Sequence, residues 1–558
     1  MSTIAAELLG AGQVAIASGR WADAADTFRA LLDQETHPNA DALFGLGVAS
    51  FWLGETREAL RLWERAYVAF RRRPDPAQAG FAAVYLSLAY RMSMGNDAAA
   101  RGWLGRAARL AADHDLTELS GWVLLCRAHR ANDIGHPQAA EGWAREAGDL
   151  ARAGGDVDLE LCALSELGAA IVEQGRVEDG SQLLDEAMAG ALAGEGLHPD
   201  SVVLISCRTI TACSRGGDLR RATQWVRAAD DFYRSHGSPH LYTTCRTHFG
   251  GILFATGSWD QAETELNAAL QIGEAAEPAL HAEALAKLAE IRVAQGRLEE
   301  ANRLLIGFED HPSVVYVTAL VRLAQGQAAV AASMLRRRLR DVDENSLEAA
   351  ALEELLVAAE VEIGATSRAA KRGLALSQRG AGLQTIVVRA RGERAVGRAL
   401  LARTEVGAAI DHLERATSAF AAAQMPIEAS RTRLLLAQAL AATDRETAIA
   451  EAQHAFAALE AVGAKRDADE AAALLRSFGA RPARSGSRAI GLLTKRELEV
   501  LALLGEGLSN PEIGQRLFIT RKTVEHHVAN VLAKVGLSGR GEAAAFAARA
   551  LRQDSAAK

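Results

Sequence analysis

The sequence predicts an all-α protein: a long solenoid of roughly twelve helical hairpins followed by a small four-helix domain. Three observations predict it. Across residues 1–478 apolar residues recur at spacings of three and four, β-branched runs are short, and Leu, Ala, Arg and Glu dominate, which is the pattern of amphipathic helices. A frame of small residues repeats about every 40 positions over the same stretch. Near residue 480 the composition turns to Pro, Gly, Ser and Arg, and helix-start signals then follow one another closely to the end.

The repeating frame is a small residue, an alanine five positions on, and another alanine seven positions after that. It is clearest at Gly54, Ala59 and Ala66, and again from Gly95, Gly135, Gly217 and Gly257. Weaker copies start at Gly19, Gly175, Gly296, Gly326 and Gly364, and at Thr404 and Thr443 a threonine takes the glycine's place. A glycine ends one helix at little conformational cost, and two alanines let the next helix approach it closely. Each unit is therefore a helical hairpin. With 558 residues, 49% apolar and 24% charged, a single compact core and a disordered or low-complexity chain are both excluded.

Leu46-Gly47 ahead of Gly54, Leu167-Gly168 ahead of Gly175, and a large residue between the two alanines (Trp63, Leu184, Leu266) resemble the tetratricopeptide repeat. That resemblance implies a right-handed superhelix with a partner-binding concave face, and it extends over most of residues 5–475. The period exceeds the family's, so longer helices or loops are expected. All eight tryptophans precede residue 260 and read as repeat core, with an aromatic ligand groove as the alternative. The five cysteines, none in a C-x-x-C pair, read as reduced core residues. Asp341 to Glu344 and Arg336-Arg337-Arg338 read as solvated surface. Residues 426–478 resemble the last helical segment ahead of the DNA-binding domain in large LuxR-type regulators of the MalT kind, but none of the seven lysines follows a glycine. The phosphate-cradling loop of an accompanying ATPase is therefore missing from the sequence.

Residues 479–489 read as a flexible linker between a repeat domain at 1–478 and a DNA-binding domain at 490–558. From Arg481 onward 13 Lys/Arg stand against 7 Asp/Glu, so this tail carries +6 and, with the chain at −8, the body −14. Thr494 to Glu497 and Ser509 to Glu512 are capping-box patterns, Thr520 is placed to cap a third helix, Gly505 and Gly507 end the first, Phe518-Ile519 the second and Gly536 the third. Arg540 to Leu551 makes a fourth. At 100° per residue Val524, Val528, Val531 and Val535 share one buried stripe of the third helix, leaving Lys522, Glu525, His526, Ala529, Asn530 and Ala533 on the far side. His527 lies beside the stripe and reads as a packing or backbone contact.

Leu493 to Leu501, Gly507 to Gly514, Leu517 to His527, Lys534 to Leu537 and Arg540 together resemble the LuxR-type helix-turn-helix in order and spacing. The resemblance implies a two-fold dimer on DNA with the third helix in the major groove and the fourth at the dimer contact. Carried over residue by residue, it puts Ser509, Asn510, Thr520, Arg521, Lys522, Thr523, Val524, Glu525, His526, His527, Ala529, Asn530 and Lys534 against DNA, and Leu537, Arg540, Ala543 and Ala544 at the dimer contact. By their chemistry Arg521, Lys522, Thr523 and Lys534 suit phosphates, Asn530 an adenine edge, Glu525 cytosine N4, His526 a purine acceptor, and Ala529 and Ala533 a thymine methyl. Many family members carry Lys or Arg where this chain has Glu525, which puts base preference in question and weakens non-specific affinity.

There is no His-Glu-x-x-His, Gly-x-Ser-x-Gly or paired-cysteine motif, so neither an enzyme nor a metal or other cofactor is expected. No membrane span or leader is apparent, and high Ala and Arg with few lysines suggest a GC-rich bacterial genome. The reading is a cytoplasmic bacterial transcriptional regulator, at the nucleoid when bound. Its partners are double-stranded promoter DNA, a second copy of the chain, RNA polymerase, and a protein or small-molecule effector on the repeat body. The alternative is an interaction scaffold in which the solenoid's partner is the main business.

Overall fold

A computed structural model describes residues 3–34, 39–196, 198–236, 239–273, 278–309, 311–382, 385–482, 495–517, 519–535 and single positions up to 547. Among them are 28 α-helices, one short 3-10 helix and no strand. By contact density the chain forms two units, Met1–Thr432 and Arg433–Lys558.

The first unit is a chain of helical hairpins whose turns fall on the predicted frame. Gly54 sits between the helices Ala40–Trp52 and Thr56–Arg72 with φ +85°; Gly54 N–H donates to the Phe51 carbonyl at 3.0 Å and Glu55 N–H to that of Ser50 at 2.8 Å. All ten frame glycines have positive φ, and Thr404 adopts the same left-handed conformation at φ 62°. The frame alanines disappear into the packing: Ala59, Ala66, Ala107, Ala140, Ala147, Ala222, Ala262 and Ala269 have no exposed surface. Between them Trp63, 1% exposed, fills a place that the preceding helix vacates, since a Cβ on Gly47 would lie 2.5 Å from Trp63 Nε1. Most helices run 15 to 18 residues, which accounts for the long period. The 30-residue step from Gly296 to Gly326 is met by shorter helices, Leu298–Leu304, Val315–Ala324 and Ala328–Arg338.

This array folds back on itself. Trp52 Nε1 and Tyr85 OH donate to the two oxygens of Asp200 at 2.5 and 2.8 Å, across 148 and 115 residues of sequence. Val203 and Ile210 share a core with Trp21, Trp52 and Trp63. Further along, Asp343 N–H donates to the Gly135 carbonyl (3.0 Å) and the Thr385 hydroxyl to that of Gly216 (3.2 Å). Between these closures the first helices of successive hairpins carry a buried polar ladder. Arg208 Nε donates to Glu166 Oε1 at 2.9 Å, His129 Nδ1 lies 2.6 Å from the same oxygen, Asn132 donates to Glu166 Oε2 at 2.7 Å, and Arg208 also reaches Asp133 at 3.0 Å. These helices are thus joined to one another by buried ionic and polar side chains as well as by apolar packing.

One surface reading is corrected, and two core readings agree with the structure. Arg336 pairs with Glu360, which has no exposed side-chain surface, and Arg338 with Glu348 at 2.8 Å, so two of the three clustered arginines neutralise carboxylates rather than face solvent. Trp21, Trp52, Trp63 and Trp259 are buried and the remaining described tryptophans are packed against core clusters, which favours repeat core over a ligand groove. Cys126, Cys162 and Cys213 are buried free thiols, and burial pushes those of Cys126 and Cys213 up to about 12.

The second unit holds the last body helices, Arg445–Ala461 and Lys465–Ser477, and the terminal domain. Most of the linker reading, residues 483–489, lies outside the described residues. No described helix is long and apolar enough to cross a membrane.

Candidate nucleic-acid interface

Three helices build the terminal site: Lys495–Gly505, Asn510–Leu517 and Arg521–Val535. Their single core is Val500, Leu501, Leu503, Leu504, Ile513, Val524, Val528 and Val531, joined by Ala543 and Ala547 from the region of the fourth helix. Val524, Val528 and Val531 face inward as the helical spacing predicts, Val524 and Val531 fully buried, and the side chain of Val535 lies outside the described residues. Val524, placed against DNA by the family motif, therefore belongs to the core and is removed from the contact set. Ala543, placed at the dimer contact, is fully buried in the domain's own core.

The turns are tight for identifiable reasons. Gly507 closes the first helix at φ +84°, and Leu508 N–H donates back to the Leu503 carbonyl at 3.2 Å. At the bend between the second and third helices Ile519 N–H donates to the Gly514 carbonyl at 3.0 Å, and a Cβ on Gly514 would sit 2.8 Å from the Ile519 oxygen. Only glycine allows that approach. Arg496 pairs with Glu499 at 2.7 Å and donates to the Leu517 carbonyl, tying the first helix to the end of the second. Gly514 and Arg496 both lie inside the motif, but these structural roles follow only from the geometry.

Thr520 caps the third helix as expected, Ser509 and Glu512 form half of the expected box, and the cap expected at Thr494 lies outside the described residues. Thr523 N–H donates to Thr520 Oγ1 at 3.2 Å, and the two hydroxyls are 2.8 Å apart. At the second helix, Ser509 N–H and Oγ–H both donate to Glu512 Oε2, at 2.6 and 2.5 Å. A carboxylate already occupies the anion place at Ser509, so a phosphate there has to displace it.

Ser509, Thr520, Arg521, Lys522 and Glu525 are exposed, and Asn510, Thr523 and His527 half-buried. Arg521 Nε donates to Glu525 Oε1 at 2.9 Å. A groove of about 850 Å³ at the elbow is lined by Pro511, Gly514, Gln515, Ile519, Thr520, Arg521 and Thr523. Gln515 is an addition to the predicted set. His526, Ala529, Asn530 and Lys534 lie on the third helix, but their side chains fall outside the described residues, as do Thr494, Leu537, Arg540 and Ala544.

Residues 491–547 match the family described as bacterial regulatory proteins, luxR family, and residues 121–309 the MalT-like TPR region. The terminal domain is thus a LuxR-family helix-turn-helix and the body carries a MalT-like repeat region. Curated relatives similar to the terminal domain include the transcriptional regulatory protein LiaR of Bacillus subtilis (strain 168), 56% identical over 57 residues. That match covers 10% of this chain and 27% of LiaR. The transcriptional regulatory protein LnrK of the same strain is 49% identical over 57 residues, covering 10% of this chain and 26% of LnrK. The DNA-binding transcriptional activator DevR/DosR of Mycobacterium tuberculosis (strain ATCC 25618 / H37Rv) is 47% identical over 55 residues, covering 10% of this chain and 25% of DevR/DosR. The chain therefore spans about a quarter of the length of these relatives. Among solved structures, the Cut9-Hcn1 hetero-tetramer matches 84% of this chain and 96% of its own at 14% identity and a TM-score of 0.34.

Proposed function

We propose that this protein is a transcriptional regulator that binds promoter DNA through its terminal helix-turn-helix, with the repeat body as the region that takes an effector. The observation carrying this reading is the third helix. One side is a buried valine stripe that fixes it to a LuxR-family core, while Lys522 on the opposite side and Arg521 and Glu525 on the flank are exposed to solvent beside an open groove. Basic side chains beside a protruding helix suit phosphates, and the helix itself suits the major groove. Two copies meeting on a near-palindromic site, and recruitment of RNA polymerase, complete the proposal.

The test is selection of bound duplexes from a random pool by the full chain and by a variant with Lys522 and Asn530 both changed to Ala. An inverted repeat enriched by the first and lost by the second is the expected result. No enrichment from a folded chain sinks the reading. K522A alone is expected to weaken binding alike on all sequences and to lower the salt slope by about 0.9, as one lost phosphate contact does.

A further inference from the structure

We propose that Glu525 acts as a brake on non-specific DNA binding by holding the guanidinium of Arg521. This rests on the third helix being the DNA-facing element. Arg521 is the first residue of the helix Arg521–Val535, where the positive end of the helix disfavours a cation. The helix dipole therefore does not favour a basic residue there, and its exposed pair with Glu525 adds little to the fold. One turn on, Glu525 takes Arg521 Nε at 2.9 Å. Taking Val524 as zero and 100° per residue, Arg521 lies at about 60° and Glu525 at about 100°, on the flank between the buried stripe and the groove-facing side.

This pair is built to exchange. The side chains are 72% and 47% exposed, and an arginine preceding its acid by four is the weaker order for a helical ion pair. A phosphate, with more charge and more acceptor oxygens, competes for the same guanidinium. When Arg521 leaves for a phosphate, Glu525 is left as a carboxylate beside the DNA backbone. A carboxylate only accepts hydrogen bonds, so only a base-edge amine, cytosine N4 or adenine N6, can settle it there. On any other sequence Arg521 stays on Glu525 and its phosphate contact is forgone. Glu525 thereby makes one phosphate contact conditional on the base beneath it, and is a positioning residue acting through Arg521.

The alternative is plain repulsion of phosphate by Glu525, and a double-mutant cycle separates the two. Affinity of the full chain for a mixed-sequence duplex is measured from 50 to 200 mM salt for wild type, E525Q, R521A and the double variant. Both positions are exposed, and far-ultraviolet circular dichroism checks that each variant is folded. On the proposal, E525Q binds about fivefold to tenfold more tightly at 100 mM salt with a salt slope steeper by about 0.9, because one more phosphate is neutralised. In the R521A background, the same substitution changes affinity by less than about twofold. An equal gain in both backgrounds, or no gain in either while wild type binds, overturns the proposal and leaves the DNA-binding reading standing. A wild-type chain that binds no duplex at 50 mM salt overturns both.

Discussion

The two ends of this chain use charge in opposite ways. In the body, net −14, the informative ionic groups are inside: Glu166, Arg208 and His129 are each under 10% exposed and satisfy one another between successive hairpins. In the tail, net +6, the described core is almost wholly apolar, Glu497 apart, and Arg521, Lys522 and Glu525 of the third helix stand in solvent. Buried pairs hold structure because neither partner can be released without leaving a desolvated charge. Exposed pairs cost little to break, which is what a surface that must trade partners requires.

The largest effect expected from this contrast is in the body. Glu166→Ala leaves Arg208 buried without its closest carboxylate and should destabilise the body by about 3–5 kcal/mol. All tryptophans and tyrosines lie in residues 1–432, so tryptophan fluorescence reports that unit's unfolding alone. A lowered denaturation midpoint by fluorescence, with duplex binding unchanged, is the expected pair of results. The converse variant, Val531→Ala, removes about 2 kcal/mol from the small terminal core and should weaken duplex binding without moving the fluorescence transition. If either substitution moves both readouts together, the two regions are not independent.

Acid sharpens the same comparison. Burial alone would raise the carboxyls of Glu166 and Asp133, but Arg208 and His129 outweigh it and hold both below their ordinary values of 4.5 and 3.8. Their contribution is complete above those values and is lost as pH falls through the depressed folded ones. The fluorescence midpoint of the body should accordingly drop as pH is lowered below about 4, and titration from pH 6 to 3 checks it. Asp200 has the opposite sign: burial holds its carboxyl above 3.8 despite hydrogen bonds from Tyr85 and Trp52. That contribution is present at low pH and lost as pH rises through the folded value, so Asp200→Asn should make the body's acid loss steeper.

The smallest expected effect is at Thr404, the threonine that holds a left-handed turn where ten other units use glycine. Thr404→Gly should relieve that conformation and stabilise the body by about 0.5–1 kcal/mol, read as a small rise in the same midpoint.

What was legible in the sequence was what repeats or what lies close along the chain. Gly54 and its counterparts announced the turns because a left-handed turn leaves glycine as a visible mark, and Val524, Val528 and Val531 announced the buried side of the third helix through their spacing alone. The Trp52–Asp200 contact could not be read, since 148 residues separate the partners and nothing in either neighbourhood points to the other. The ladder did leave a signal: His129, Glu166, Arg208 and His248 recur at nearly the repeat period on first helices, where apolar residues would be expected. The pairing of Arg336 and Arg338 is hidden in the sequence because a cluster of like charges resembles a solvated face, and the fold alone brings Glu360 and Glu348 beside it. At the tail, Glu512 was read as half of a cap, and its capture of the Ser509 hydroxyl follows only from the geometry.

The contact of Asp200 with Trp52 and Tyr85 also bears on how such a chain can change over generations. An open stack, in which each hairpin meets only its neighbours, can gain or lose a unit and close the gap. Here the second and third hairpins are bonded to the sixth, and the turn at Gly135 to the segment at Asp343. Deleting one hairpin between those partners would bring the wrong residue to Asp200 and strand a buried carboxylate. The number of units between the closures is therefore fixed much as the number of blades is fixed in a closed ring, and variation in length should be confined to the loops and to the two ends of the array.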